Sequence, residues 1–500
     1  MNHDVIVVGS GFAGAVMAAR LAEQGARVLI LERGVWRGPA GNEDPRRAHP
    51  RRAFPRGAIG MLRDVRSIRF ARSGRSRELM LNAEGLFEIH RFGGLNTLTV
   101  SGVGGGSLVY VLLVRPEDEF FDAYPDEITG AEMSRHFERV RSVLRPQPLP
   151  QLPEKEVVFE RVAAEGGLGD VHYADLGVVF GESPDRPEKV RNAVGVEQET
   201  CTYLGECPFG CPRRAKTTMD LTYIPLALRH GAELRVFAEV TRLEPRNGQY
   251  RVVYNDREAG HERHAEAPRV VLAAGALNTL RLLFLARDRQ RTLPDVSPAL
   301  GRGFSANGDA FAFVWRTRKL SRSDYGPAGG YLVRRDPEGR HRYVLLGALG
   351  VGLGGARIPR ALRRRLAAST IINTIGRDDA GAELELHGEG LGLRKGRGLG
   401  RALFDEMHGD LRRVGEQYGA ARTFVGERSV MTAHPMGGAA IADTPAGGVV
   451  DHRGEVFGYP GLYVADGAAY PAPPGLPPSL TIAALAERQA ELLASEIGGM

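Results

Sequence analysis

The chain has 500 residues, a length at which two domains are expected rather than one simple core. Hydrophobic residues at 43% and charged residues at 25% are ordinary for a globular protein, and the 65 glycines, above the usual ~7% share, cluster at a few places instead of forming a low-complexity tract. The net charge of +6 is carried almost wholly by arginine, and thirteen arginines fall between Arg33 and Arg77. No nucleic-acid motif accompanies them, and acidic residues nearly balance them elsewhere. A solvated excursion is expected there, with no nucleic-acid partner. No leader is expected ahead of the first predicted strand, and no run reaches the ~18 apolar residues needed to span a bilayer. Three cysteines, an odd number, fit a reducing compartment, so the cytoplasm is the expected location.

In chain order, residues 4–8 are an apolar run bounded by glycine and read as a buried strand. Apolar residues recur at helical spacing over 12–24, and 27–31 is a second short apolar strand. This is one βαβ unit, expected to be parallel and right-handed. Its turn, Gly9-Ser10-Gly11-Phe12-Ala13-Gly14, fits G-x-G-x-x-G in the strand-to-helix setting that dinucleotide binding requires. Gly9 permits the turn, Gly11 admits a pyrophosphate to the backbone, and Gly14 lets helix and strand approach. The helix N-terminus offers N–H groups to the phosphates. Glu32 ends the second strand, where its carboxylate can accept from both ribose hydroxyls and repel a 2′-phosphate. The pattern fits FAD or NAD and does not separate them.

Residues 39–77 read as loops and short turns, and 102–106 as a second glycine-rich turn. A helix is predicted over 130–144 and an apolar strand over 270–274. Alternation within 311–384 suggests a half-exposed antiparallel sheet. The chain ends in a strand at 462–466, a loop, and a long helix over 479–497. Asp466 closes an apolar strand before a glycine, where it can meet a sugar-like hydroxyl, and the helix beginning near Ser479 points its N-terminus toward that turn. Cys201, Cys207 and Cys211 invite a metal reading, but only three thiols exist, so they are read as structural and no metal is expected.

Several blocks resemble the glucose–methanol–choline (GMC) family of flavin oxidoreductases, and within it the cholesterol-oxidase-like branch. They are the run from Gly102 to Tyr110; Leu272-Ala273-Ala274-Gly275-Ala276-Leu277-Asn278-Thr279; Leu300 to Phe304 with Asn307-Gly308-Asp309; His434-Pro435-Met436-Gly437-Gly438; Val464-Ala465-Asp466-Gly467; and Ser479 to Arg488. They span the chain in family order, and 311–430 matches least. The resemblance implies an α/β fold: an FAD-binding Rossmann-like domain from 1–115, 201–310 and 431–500, with a mainly antiparallel-sheet substrate domain from 116–200 and 311–430. It implies noncovalent FAD held by Gly9, Gly11, Phe12, Ala13, Gly14, Glu32, Arg33, Gly104, Gly105, Gly106, Ser107, Val240, Ala274, Gly275, Asp466, Gly467, Ser479 and Leu480.

By the same resemblance His434 is the active-site histidine. The family's second polar group, an Asn or His just before a proline, falls on Pro477, which offers neither a side-chain hydrogen bond nor an N–H. Tyr110, Asn307 and Asp309 are the candidates to replace it, with Tyr110 and Asn307 placed beside His434 as catalytic candidates. Two activities follow. The first is oxidation of a hydroxyl on a bulky, hydrophobic, sterol-like or polycyclic small molecule by hydride transfer to flavin N5. The second is a redirected reaction: C–C dehydrogenation, isomerisation or another redox-neutral step. The electron acceptor, O2 or another, stays open.

Overall fold

The structure is a computed structural model that describes residues 3–37, 53–72, 74–335, 342–354, 358–396, 400–427 and 430–498. Its organising element is a five-stranded, all-parallel sheet in the order Glu233–Arg235, Val28–Leu31, Val5–Val8, Arg269–Leu272, Leu462–Val464. The first two strands in the chain are joined through the helix Phe12–Glu23, so the predicted βαβ unit is present and parallel. Every residue of Val5–Val8 and Val28–Leu31 is buried, which is why these segments read as unbroken apolar runs. Val8 is level with both Leu31 and Leu272. Gly9, Glu32 and Ala273 therefore emerge side by side at the carboxyl edge of the sheet, where open α/β sheets bind ligands.

The final helix, Ser479–Gly498, packs along Phe12–Glu23. Glu487, buried between them, accepts from Arg20 Nε at 2.8 Å and from the Tyr223 hydroxyl at 2.6 Å. A buried carboxylate is tolerable only with such partners.

A six-stranded antiparallel sheet stands over that edge. Its order is Arg422–Val425, Ala310–Trp315, Thr370–Gly376, Arg342–Gly350, Gly330–Arg335, His172–Tyr173. This is the sheet the alternation within 311–384 predicted. Along Ala310–Trp315 burial alternates residue by residue. Ala310, Ala312 and Val314 face a core shared with the helices Glu154–Glu165 and Arg401–Gln417. Phe311 and Phe313 face the opposite way, toward the parallel sheet. The helix predicted over 130–144 is Gly130–Leu144, with the Thr129 hydroxyl accepting from Glu132 N–H at 3.1 Å.

One expectation is corrected. Part of 39–77 was read as loops, yet Val65–Arg72 and Arg75–Met80 are strands of a mixed five-stranded sheet with Phe87–Arg91, Leu95–Val100 and Val430–Thr432. Residues 38–52 lie outside the described residues. The alternation was hidden because arginines occupy inward positions. Arg66 pairs with Glu88 at 3.2 Å and Arg69 with Glu78 at 3.1 Å, so paired charge stands where apolar side chains usually signal a strand. Among the described residues no helix is long and apolar enough to cross a membrane.

Candidate active site

The two glycine-rich turns meet. Gly104 N–H donates to the Ser10 carbonyl at 3.2 Å, and a side chain on Gly105 would lie 2.8 Å from the Gly11 Cα. Gly9 has φ +100°, and a Cβ there would collide with the Ala273 carbonyl, so only glycine serves. Glu32 is 6% exposed, and its carboxylate accepts from the Ser10 hydroxyl at 2.7 Å and from Gly34 N–H at 2.8 Å. No side chain caps the helix that follows Gly11, which leaves its first N–H groups for a ligand.

A cavity of about 690 Å³ runs from this cradle to the six-stranded sheet. It is lined by Gly9, Gly11, Phe12, Ala13, Glu32, Arg33, Gly105, Gly106, Val240, Ala274, Gly275, Asp466, Gly467 and Ser479, all expected at the cofactor. Side chains built on Gly106 or Gly275 would meet no protein atom within 4 Å and would fill the cavity instead. That open, amide-lined cradle fits a dinucleotide. Gly14, Gly104, Ser107 and Leu480 stand one layer behind. Gly14 packs on Gly9, Gly104 bonds Ser10, the Ser107 hydroxyl bridges Gly104 O and Met219 N, and Leu480 is in the core.

Asp466 lies at the cavity wall, and its carboxylate is also engaged by protein. It accepts from Gly275 N–H at 2.8 Å, the Thr279 hydroxyl at 2.5 Å and Ala468 N–H at 2.9 Å. Burial pushes its pKa up to about 6, against the pull of those hydrogen bonds.

At the far end His434 lines the cavity with its side chain 26% exposed. Its Nδ1 lies 3.0 Å from both oxygens of Asp309, which is fully buried. Asp309 also accepts from the Thr432 hydroxyl and from Ala433 N–H, each at 2.8 Å. The carboxylate is thus fixed, Nδ1 carries the proton that donates to it, and Nε2 is left as an acceptor. Burial disfavours charge on the imidazole, but the adjacent Asp309 more than offsets it, so the pKa lies above the ordinary histidine value.

The structure does not bring the other two catalytic candidates to this point. The Tyr110 hydroxyl donates to the Thr217 carbonyl at 3.0 Å and packs against Gly177, while its ring meets Phe12 edge-on at 5.1 Å. Tyr110 lines the cavity by its ring, with the hydroxyl turned into the protein. Asn307 is fully buried; its amide donates to the Leu476 carbonyl at 2.8 Å and accepts from Gly475 N–H at 2.9 Å. It clamps the loop carrying Pro477 and is absent from the cavity wall. Catalytic readings of Tyr110 and Asn307 are corrected accordingly. Sequence alone also missed Asn373, which lines the cavity from the overlying sheet. The signal available was one polar residue in the apolar run Ile371-Ile372-Asn373-Thr374-Ile375.

Cys201, Cys207 and Cys211 are free thiols in a small apolar cluster with Val111, Leu176 and Tyr203. Burial pushes the Cys201 thiol up, which keeps it protonated and inert. Among the described residues no group of three or more His, Cys, Asp or Glu side chains is placed to hold a metal.

A dinucleotide cradle continuous with an apolar chamber, with a carboxylate-backed imidazole at the far end, defines a cofactor-dependent oxidoreductase. Comparison with known proteins gives the family. The N-terminal GMC oxidoreductase model matches residues 3–287 and the C-terminal one residues 393–486. A cholesterol oxidase of Mycobacterium tuberculosis is 30% identical, covering 98% of this chain and 91% of that protein. A cholesterol oxidase of Acinetobacter baumannii is 26% identical, over 97% and 93%. The crystal structure of pyridoxine 4-oxidase from "Mesorbium loti" superposes with a TM-score of 0.64 at 17% identity, covering 98% of this chain and 99% of that one. The chain belongs to the GMC oxidoreductase family and is an FAD-dependent enzyme.

Proposed function

We propose that this enzyme oxidises a hydroxyl group on a bulky, apolar, sterol-like or polycyclic alcohol. The observation that carries the proposal is the His434–Asp309 pair opening onto a chamber whose upper wall is aromatic and aliphatic, with Phe311, Phe313, Leu346, Leu349 and Ile371 among its side chains. Such a wall binds the body of a substrate by excluding water, and leaves orientation to a few polar groups. Two full-length relatives are cholesterol oxidases, which is consistent with that class.

FAD, held noncovalently in the glycine cradle, supplies the acceptor for the carbon-bound hydrogen and its electron pair. The protein's part is proton transfer and placement. His434 Nε2 takes the hydroxyl proton, and Asp309 holds the ring in the tautomer that can do so and stabilises the imidazolium that results.

Anaerobic mixing tests the reading. A sterol or polycyclic alcohol should bleach the flavin, and His434→Ala should lower the bleaching rate by about 10³-fold while FAD stays bound. The reading fails if no alcohol bleaches the flavin while product still forms from a substrate lacking a hydroxyl; that outcome would favour C–C dehydrogenation or isomerisation. Acid precipitation should leave the flavin in the supernatant.

A further inference from the structure

His434 accounts for one polar contact to a substrate hydroxyl, and a second is missing where it was sought. Pro477 lines the cavity and has no polar side chain. The side chains that could have compensated are engaged elsewhere: Tyr110 on Thr217, Asn307 on the 475–476 loop, and Asp309 on His434.

The sheet above the cavity contains one exception to its apolar face. Along Thr370–Gly376, Ile371, Asn373 and Ile375 line the cavity, while Ile372 belongs to the core behind. Asn373 is 5% exposed, lines the cavity, and makes no side-chain hydrogen bond to any described residue. An amide facing a chamber that a substrate fills is costly to cover unless something pairs with it. The other cavity-facing side chains from this sheet are apolar.

Its position is fixed by register. Asn373 stands directly opposite Phe311 in the antiparallel ladder. Asp309 stands just ahead of this strand, which begins at Ala310. His434 and Asn373 both line the cavity, and Asn373 lies across the ladder from the strand that Asp309 precedes. Ile375, the next cavity-facing residue, packs in a cluster with Leu476, the neighbour of Pro477.

We infer that Asn373 supplies the second polar contact to the substrate oxygen, from the sheet rather than from the loop at 477. Its Nδ2 donates to the oxygen as the proton leaves for His434 Nε2, so negative charge developing there meets a fixed donor. Its unmet hydrogen bond also selects a substrate with an oxygen at that level over an equally apolar one without. The inference rests on the proposed alcohol-oxidising function.

The two are tested separately. Reduction of the wild-type flavin by cholesterol or 2-decalol tests the function. Asn373 is tested by ligand binding to the FAD-loaded enzyme, read as perturbation of flavin absorbance. The wild type should bind 2-decalone at least about tenfold tighter than decalin, and Asn373→Leu, close in shape, should erase that preference by weakening 2-decalone binding without weakening decalin binding, while leaving FAD content unchanged. Asn373→Leu should also slow flavin reduction by about 10²-fold. A wild type with no preference for the ketone, an Asn373→Leu enzyme that keeps it, or equal losses for both ligands would each overturn the inference.

Discussion

The cofactor cradle and the sheet above it are built on opposite principles. In the cradle the chemistry is carried by backbone: glycine turns, an uncapped helix start, and amides brought level by a parallel register. At the other end the proposed chemistry falls to side chains from separate segments, His434 and Asp309 in loops beside strands and Asn373 within one. Backbone sites tolerate almost no substitution at their glycines and are written in short local patterns. Side-chain sites depend on which residues face inward, and they change by single substitutions while the fold persists.

The sharpest way to break this contrast is at the contact between the two glycine turns. Gly105 has φ +51°, and a Cβ there sits 2.8 Å from Gly11 Cα. Gly105→Val should yield protein without the yellow flavin absorbance band and less stable by on the order of 1–3 kcal/mol in chemical denaturation. If this variant keeps its full flavin content, the cradle is less dependent on backbone than its geometry requires.

A smaller loss is expected at Asp309. Asp309→Asn should reduce kcat/KM by about 10²-fold with FAD retained. The neutral imidazole is the active form, so kcat/KM rises with pH through the His434 pKa, which lies above the ordinary value. Removing the Asp309 charge leaves burial unopposed, so the acid limb of the pH profile should move to lower pH in the variant. An unmoved limb would show that another group sets it.

The smallest effect concerns stability behind the substrate sheet. Glu156 is fully buried; its carboxyl accepts from Gly330 N–H at 2.9 Å, and glycine at 330 is needed because a Cβ would lie 2.5 Å from that oxygen. Burial pushes its pKa up to about 7, only partly countered by the charge of Lys155. The folded protein thus retains a proton that the unfolded chain releases near pH 4.5, and stability is lost as pH rises through that window to about 7. Glu156→Gln should be nearly neutral at about pH 5 and stabilising by on the order of 1–3 kcal/mol at about pH 8, as read from paired denaturation curves.

The same contrast explains what could be read from the sequence. The Gly9–Gly14 turn, Glu32 and the flanking strands are contiguous and follow local rules, so both cradle and βαβ unit were legible. The place of His434 on the cavity wall was legible through its motif. The strand Val65–Arg72 was not, because paired arginines stand among its inward positions, and neither was Arg75–Met80, which is almost wholly exposed and has no apolar face. Tyr110 and Asn307 were assigned by position along the chain, whereas their roles depend on direction: one hydroxyl and one amide that turn away from the chamber. Asn373 was illegible for the converse reason, since inward facing is settled by a ladder whose partners lie far off in sequence.

The short turn from Ser305 to Asp309 has a practical consequence. Ser305 exchanges backbone bonds with Met436 in the histidine segment, Asn307 holds the 475–476 loop, and Asp309 orients His434. Five residues thereby set the spacing between two chamber walls. A library meant to alter which molecules are accepted should leave that pentapeptide and Asn373 constant and diversify the apolar cavity-facing positions Ile371, Ile375, Leu346 and Leu349, where new shapes can be sampled without disturbing proton transfer.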